Sequence, residues 1–182
     1  MTTFVALLRG INLGAKRRIA MPALRQSLLE LGFSEVATYI QSGNLVFSTD
    51  PASREELAVA ISERIRSDFG LDVPVILRSG DEMQHIYTSN PYLPAEDDSK
   101  RLHVTFLDHG PGNEAIARLE GIAFPPDDYM VRDQEIFVRH MRGVIDSPID
   151  FALIARTLGV TQMTSRNWRT VTTLAGMARE RS

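Results

Sequence analysis

Four basic residues stand close together near the start of the chain, in a ten-residue stretch that contains no acid, Arg9 to Arg18. They are Arg9, Lys16, Arg17 and Arg18. The stretch leads into a predicted helix, and the free backbone N–H groups of a helix start favour anions. Guanidinium groups bind phosphate and carboxylate through charge-assisted hydrogen bonds. This pattern predicts a binding site for an anionic small molecule.

A polar turn, Gln41-Ser42-Gly43-Asn44, is expected to lie opposite this basic stretch. In a ferredoxin-like half the first two strands run parallel, so the loop that leaves the first strand and the hairpin that leaves the second emerge at the same end of the sheet. The predicted ligand-binding residues are Arg9, Lys16, Arg17 and Arg18 for charge, Asn12 and Asn44 for orientation, and Gln41 and Ser42 beside them. In a simpler interpretation, the glycines of the first loop only shape a turn and its cations are solvated.

A second candidate anion site lies near the end of the chain, where Thr164 or Ser165 is predicted to cap the last helix. On that helix Arg166 and Arg169 would lie three residues apart on one side, with Asn167 between them. Trp168, the only tryptophan, is predicted to pack the helix onto the sheet.

Several classes of chemistry are excluded or disfavoured by composition and spacing. The chain has no cysteine, which removes thiol catalysis, disulfides and thiolate metal sites. Its four histidines are not spaced as a local metal pair, and no phosphate-loop, dinucleotide or serine-hydrolase motif is present. We therefore expect no metal and no cofactor. A net charge of −3 disfavours nucleic acid as a partner.

The 182 residues, 43% of them hydrophobic, are enough to form a buried core. Residues 1–78 show the order strand, helix, strand, strand, helix, strand, which is the split βαβ pattern of a ferredoxin-like half. Ser53 and Glu56 form a predicted capping box before the second helix, and Ser79 with Glu82 before the third. The predicted class is α+β with two layers.

A related order recurs in residues 79–182, which are predicted to form a second α/β half with C-terminal helices, in one compact unit with the first. The connection from Asn90 to Lys100 is predicted to run over the surface. No sequence repeat is visible, so any duplication lies in the order of elements. The longest early apolar run, Phe4 to Leu8, is too short for a membrane span or a signal peptide, so we expect a cytoplasmic protein and no membrane partner.

Three blocks of sequence resemble a known bacterial family. They are Arg9-Gly10-Ile11-Asn12-Leu13-Gly14, then Thr38 to Asn44, and finally Ser165 to Val171. In these blocks the chain is similar to the domain of unknown function 1697 family. The resemblance implies an α+β fold of ferredoxin-like character, but no known activity and no catalytic residues.

The leading hypothesis from the sequence is a cytoplasmic protein that binds a nucleotide, a phosphate or a carboxylate metabolite. One alternative is an enzyme that acts on such a ligand with Ser42 or Gln41, for which the sequence reveals no base. Another is a protein- or RNA-binding module, since split βαβ sheets often present a flat face to partners. The sequence does not indicate an oligomeric state.

Overall fold

A computed structural model describes residues 1–14, 17–93 and 100–181. It divides the chain into two compact units, Met1–Thr88 with Thr172–Ser182, and Ser89–Val171. The sequence predicts a boundary after residue 78, whereas this division keeps the helix Gly80–Thr88 in the first unit, where it packs on that unit's strands. Lys16 and most of the predicted surface connection, residues 94–99, lie outside the described residues.

The first unit is built on a four-stranded antiparallel sheet. Its elements are β1 (Thr2–Leu8), α1 (Met21–Leu29), β2 (Ser34–Tyr39), β3 (Asn44–Thr49), α2 (Arg54–Phe69), β4 (Val75–Ser79) and α3 (Gly80–Thr88). The strand order is β2-β3-β1-β4, and both β1 and β2 run antiparallel to β3. Hence β1 and β2 run in the same direction, as the split βαβ prediction requires.

Local sequence explains the second helix well. The Ser53 hydroxyl accepts a hydrogen bond from the Glu56 backbone N–H, and the Glu56 carboxylate accepts one from the Ser53 backbone N–H. This reciprocal capping box begins α2 as predicted. The same arrangement between Ser79 and Glu82 begins α3.

The core of the first unit lies between one face of its sheet and the helices α1 and α2. Phe4, Ala6 and Leu8 alternate along β1 toward this core and meet Leu24 of α1 and Ile61 of α2 within one apolar cluster. The alternation is the period of two that a strand imposes on its side chains.

The second unit repeats this architecture. Its elements are β5 (Leu102–Leu107), α4 (Asn113–Glu120), β6 (Asp128–Arg132), β7 (Glu135–Arg139), α5 (Phe151–Leu158) and β8 (Met163–Asn167). The strand order β6-β7-β5-β8 matches that of the first sheet, and all its pairs are antiparallel. The Asp150 carboxylate caps α5 by accepting a hydrogen bond from the Leu153 N–H at 2.9 Å. The predicted α+β class is confirmed, with two related halves.

One boundary prediction was wrong. The last helix, α6 (Trp168–Arg179), does not begin at Thr164 or Ser165, because these residues belong to β8 and pair with β5. The cap is Asn167, whose side-chain oxygen accepts a hydrogen bond from the Thr170 N–H at 2.9 Å.

The two halves also share the same pairing register between the fourth strand and the first strand of each sheet. Arg78 of β4 lies opposite Val5, and Arg166 of β8 lies opposite Val104. Both arginines are buried, and each is followed by the residue that caps the next helix. The duplication that the sequence shows only as an order of elements therefore extends to strand register and to one buried residue type.

The central strands β1, β3 and β7 are buried on both faces. Every residue of β1 from Thr3 to Leu8 is buried, and every residue of β3 from Asn44 to Ser48. The same holds for β7 from Glu135 to Val138. In these three strands neither sheet face is open, and a flat open face is the feature on which the protein- or RNA-binding alternative depends. No described helix is long and apolar enough to cross a membrane.

Candidate functional site

Two connections meet at one end of the first sheet, as the strand directions predict. The Leu8 N–H donates a hydrogen bond to the Gly43 carbonyl at 2.8 Å, and Leu7 lies opposite Asn44 in the β1–β3 ladder. A side-chain bond then joins the first loop to the turn, from Asn12 Nδ2 to the Gln41 carbonyl at 2.7 Å. The basic segment and the polar turn are therefore neighbours.

Asn12 holds the first loop in shape through both ends of its amide. Its Oδ1 accepts a hydrogen bond from the Ile19 N–H at 2.9 Å, and its Nδ2 donates to the Ile19 carbonyl at 3.1 Å as well as to Gln41. Its backbone φ is 55°, in the left-handed region that asparagine tolerates better than most residues. Asn12 is thus a positioning residue for the loop, although the sequence suggested that it would orient a ligand.

Asn44 has a similar role in the turn. It is fully buried, and its Nδ2 donates to the Tyr39 carbonyl at 3.1 Å and to the Ser42 hydroxyl at 2.9 Å. Next to it, Gly43 has a φ of 76° and packs so closely that a Cβ there would lie 2.7 Å from Leu8 Cβ and 2.9 Å from Ile11 Cδ1. The turn is therefore fastened against the end of β1, and Asn44 does not line the recess described next.

A recess of about 370 Å³ opens where the loop, the turn and the start of α1 come together. Within the described residues its lining consists of Asn12, Arg18, Ile19, Ala20, Met21, Pro22 and Gln41. Arg18 is the one charged residue among them, and none of them is acidic. The helix start at Ala20 has no side-chain cap and no acid in its first turn, so it keeps the partial positive charge of a helix N-terminus.

Arg17 and Arg9, the other described cations of the loop, are placed differently from Arg18. Arg17 donates from Nε to the Gly10 carbonyl at 2.8 Å and from Nη2 to the Asp72 carbonyl at 2.6 Å. This guanidinium braces the loop against the start of the segment that leads to β4. The Arg9 backbone N–H donates to the Pro74 carbonyl at 3.0 Å, its side chain is exposed, and it does not line the recess.

The terminal candidates, Arg166, Asn167 and Arg169, do not form the predicted helix-borne pair. Arg166 lies in β8 and is buried, with Nη1 donating to the Thr164 hydroxyl at 2.7 Å and to the Ser165 carbonyl at 2.8 Å. Burial lowers the pKa of Arg166 to about 10, so it remains protonated at neutral pH. Asn167 is the helix cap, and of the three candidates only Arg169 lies within α6, where it is exposed.

A buried polar cluster in the second unit was not predicted. The Asp127 carboxylate meets His140 Nδ1 at 2.9 Å and accepts a hydrogen bond from the Met141 N–H at 2.8 Å. Burial alone would raise the pKa of Asp127, but hydrogen bonds from Ser147, His140 and Met141 hold it below its ordinary value. Because both His140 and Asp127 are almost fully buried, the cluster is closed to a substrate.

His103 completes this cluster, with its ring edge-on to His140 at 5.1 Å between centroids. Burial and the neighbouring imidazole lower the pKa of His103 to about 4. The sequence gives no local signal for this cluster, because only the pairing of β6 with β7 brings His140 back to Asp127. No group of three or more metal-ligating side chains exists within the described residues.

The recess is an addition to the duplicated framework. In the first unit, residues 9–20 connect β1 to α1, whereas residues 108–112 connect β5 to α4. Residues 40–43 form the β2–β3 turn, but only 133–134 form the β6–β7 turn. The bond from the Leu8 N–H to the Gly43 carbonyl is equivalent to the bond from the Leu107 N–H to the Gln134 carbonyl. The two frameworks therefore correspond, and the extra residues of the first unit lie at the recess.

The fold defines a class: α+β proteins with a duplicated ferredoxin-like framework. Residues 1–137 match the model of a family described as "Protein of unknown function (DUF1697)", and the chain belongs to that family. It is also similar in fold to the conserved bacterial protein SP0830 from Streptococcus pneumoniae, with a TM-score of 0.74, 24% identity, and coverage of 97% of this chain and 98% of that one. No curated protein sequence matches it.

Proposed function

We propose that the chain binds an anionic small molecule in the recess between the first loop, the β2–β3 turn and the start of α1. The observation that carries this proposal is the placement of Arg18 beside an uncapped helix start in a cavity whose described lining contains no acid. The duplicated half lacks the two longer connections that build this cavity, so folding of the framework alone does not account for them.

The groups facing the recess suit one anionic group. Arg18 Nε donates to the Gly14 carbonyl at 3.2 Å, which orients the guanidinium within the loop. A charge-assisted hydrogen bond contributes about 1.5–3 kcal/mol, and a helix terminus adds about 0.3–1 kcal/mol. Asn12 and Arg17 hold the loop on which Arg18 stands, so they support the site without needing to touch the ligand.

The test is a thermal-shift screen of the full chain against nucleotides, phosphate esters and carboxylates. A ligand at about 100 times its dissociation constant stabilises the folded state by about 2.7 kcal/mol, which is a rise of about 5–11 °C in Tm for a chain of this size. Arg18→Gln should remove the shift. Arg179→Gln is the matched control, because it removes the same charge from an exposed position of α6 that does not line the recess.

Two results would count against the proposal. One is the absence of any shift across the panel. The other is a shift that persists unchanged in Arg18→Gln, since the charge would then not be the one that holds the ligand.

A further inference from the structure

We infer that the ligand of this recess is an organic anion in which the charged group is joined to an apolar or aromatic body, and this inference rests on the proposed function. The observation behind it is that two residues next in sequence to lining residues carry exposed apolar side chains. Leu13 is 83% exposed and Ile40 is 51% exposed. Each is the sequence neighbour of a lining residue, Asn12 or Gln41, and the 2.7 Å bond from Asn12 to Gln41 holds the two segments together.

The chemistry of the described lining supports the same conclusion. Arg18 is the only charged group among its described lining residues, while Ile19, Ala20, Met21 and Pro22 are apolar. One guanidinium and one helix start hold a small inorganic anion at about millimolar concentration or weaker. Contact with one face of an aromatic ring would tighten binding by roughly tenfold to a hundredfold. The apolar surface is therefore what would give this site useful affinity.

The backbone of Ile40 is a second, separate observation. Its φ is 50°, in the left-handed region, where a β-branched residue is a clear outlier. The side chain does not offset this strain by packing in the core, since about half of it is exposed. Asparagine or glycine would adopt the same backbone with less strain. An exposed isoleucine at this position is consistent with a side chain retained for contact with a ligand.

The experiment compares matched probes by titration calorimetry on the full chain. Phenyl phosphate should bind at least about tenfold tighter than inorganic phosphate, and benzoate at least about tenfold tighter than acetate. Ile40→Asn and Leu13→Ser should each weaken phenyl phosphate binding by severalfold and leave inorganic phosphate binding unchanged. Val59→Ser removes a comparably exposed apolar side chain from α2 and should change neither.

Ile40→Asn should also keep or raise Tm, which separates loss of contact from loss of folding. Equal affinity for phenyl phosphate and inorganic phosphate, both lost in Arg18→Gln, would overturn the inference while the anion site stands. Binding of none of the four anions would overturn both. Concentration-dependent self-association that disappears in Leu13→Ser would show that the apolar pair contacts a second copy, and this too would overturn the inference.

Discussion

Gly43→Ala should destabilise the first unit because the β2–β3 turn is packed against the end of β1. The new Cβ would lie 2.7 Å from Leu8 Cβ and 2.9 Å from Ile11 Cδ1, and both neighbours are buried. The left-handed φ of 76° costs about 1–2 kcal/mol for a residue with a Cβ. Overpacking adds about 1–3 kcal/mol. The sum, about 2–5 kcal/mol, corresponds to a Tm lower by about 4–20 °C in calorimetry.

Gly10→Ala is the matched control for this variant. Gly10 has a φ of 70°, close to that of Gly43, but a Cβ added there would meet no heavy atom within 4 Å beyond its chain neighbours. It should therefore show only the backbone cost, about 1–2 kcal/mol. An equal loss of Tm in the two variants would refute the close approach of the turn to Leu8 and Ile11. It would also remove the argument that this packing fixes the position of Gln41 in the same turn.

Two more predictions concern single side chains. Asn12→Asp keeps the acceptor for the Ile19 N–H but places a carboxylate oxygen against the Ile19 and Gln41 carbonyls. Urea unfolding should therefore show a free energy of unfolding lower by about 2–4 kcal/mol. An unchanged urea midpoint would contradict the role of Asn12 in holding the loop. His103 has a folded pKa of about 4 against 6.5 when unfolded, so the unfolded chain takes up the proton first and stability falls as pH drops from 7 to 5. Allowing for solvent screening of a half-buried ring, this loss is about 1 kcal/mol. His103→Phe, which introduces the residue found at the equivalent position Phe4, should flatten that part of the Tm profile, and an unchanged slope would contradict the assignment.

Much of the fold could be predicted because local signals agree with it. The capping boxes at Ser53 and Ser79 and the alternation along β1 are patterns that tertiary contacts do not override. The meeting of the first loop with the β2–β3 turn followed from strand direction alone. Which cation faces the recess could not be predicted, because Arg17 and Arg18 are adjacent and differ only in whether a carbonyl such as that of Asp72 lies within reach.

The sequence did not reveal β8 as a strand, and the reason is physical. Its buried positions hold Thr164 and Arg166 rather than apolar residues, so the period of two is not visible as hydrophobicity. The following Trp168 belongs to a strong helix pattern, which made Thr164 and Ser165 resemble helix caps. The site residues Arg166 and Asn167 therefore have structural roles that only the strand pairing reveals.

The shared position of Arg78 and Arg166 allows the connections of the two halves to be compared one by one. Each half has its own longer connections, which are residues 9–20 and 40–43 in the first half and residues 121–127 and 140–150 in the second. In the first half the two longer connections lie together at one end of the sheet. Replacing residues 9–20 with residues 108–112, and residues 40–43 with residues 133–134, should leave a first half that folds but has no recess for a ligand.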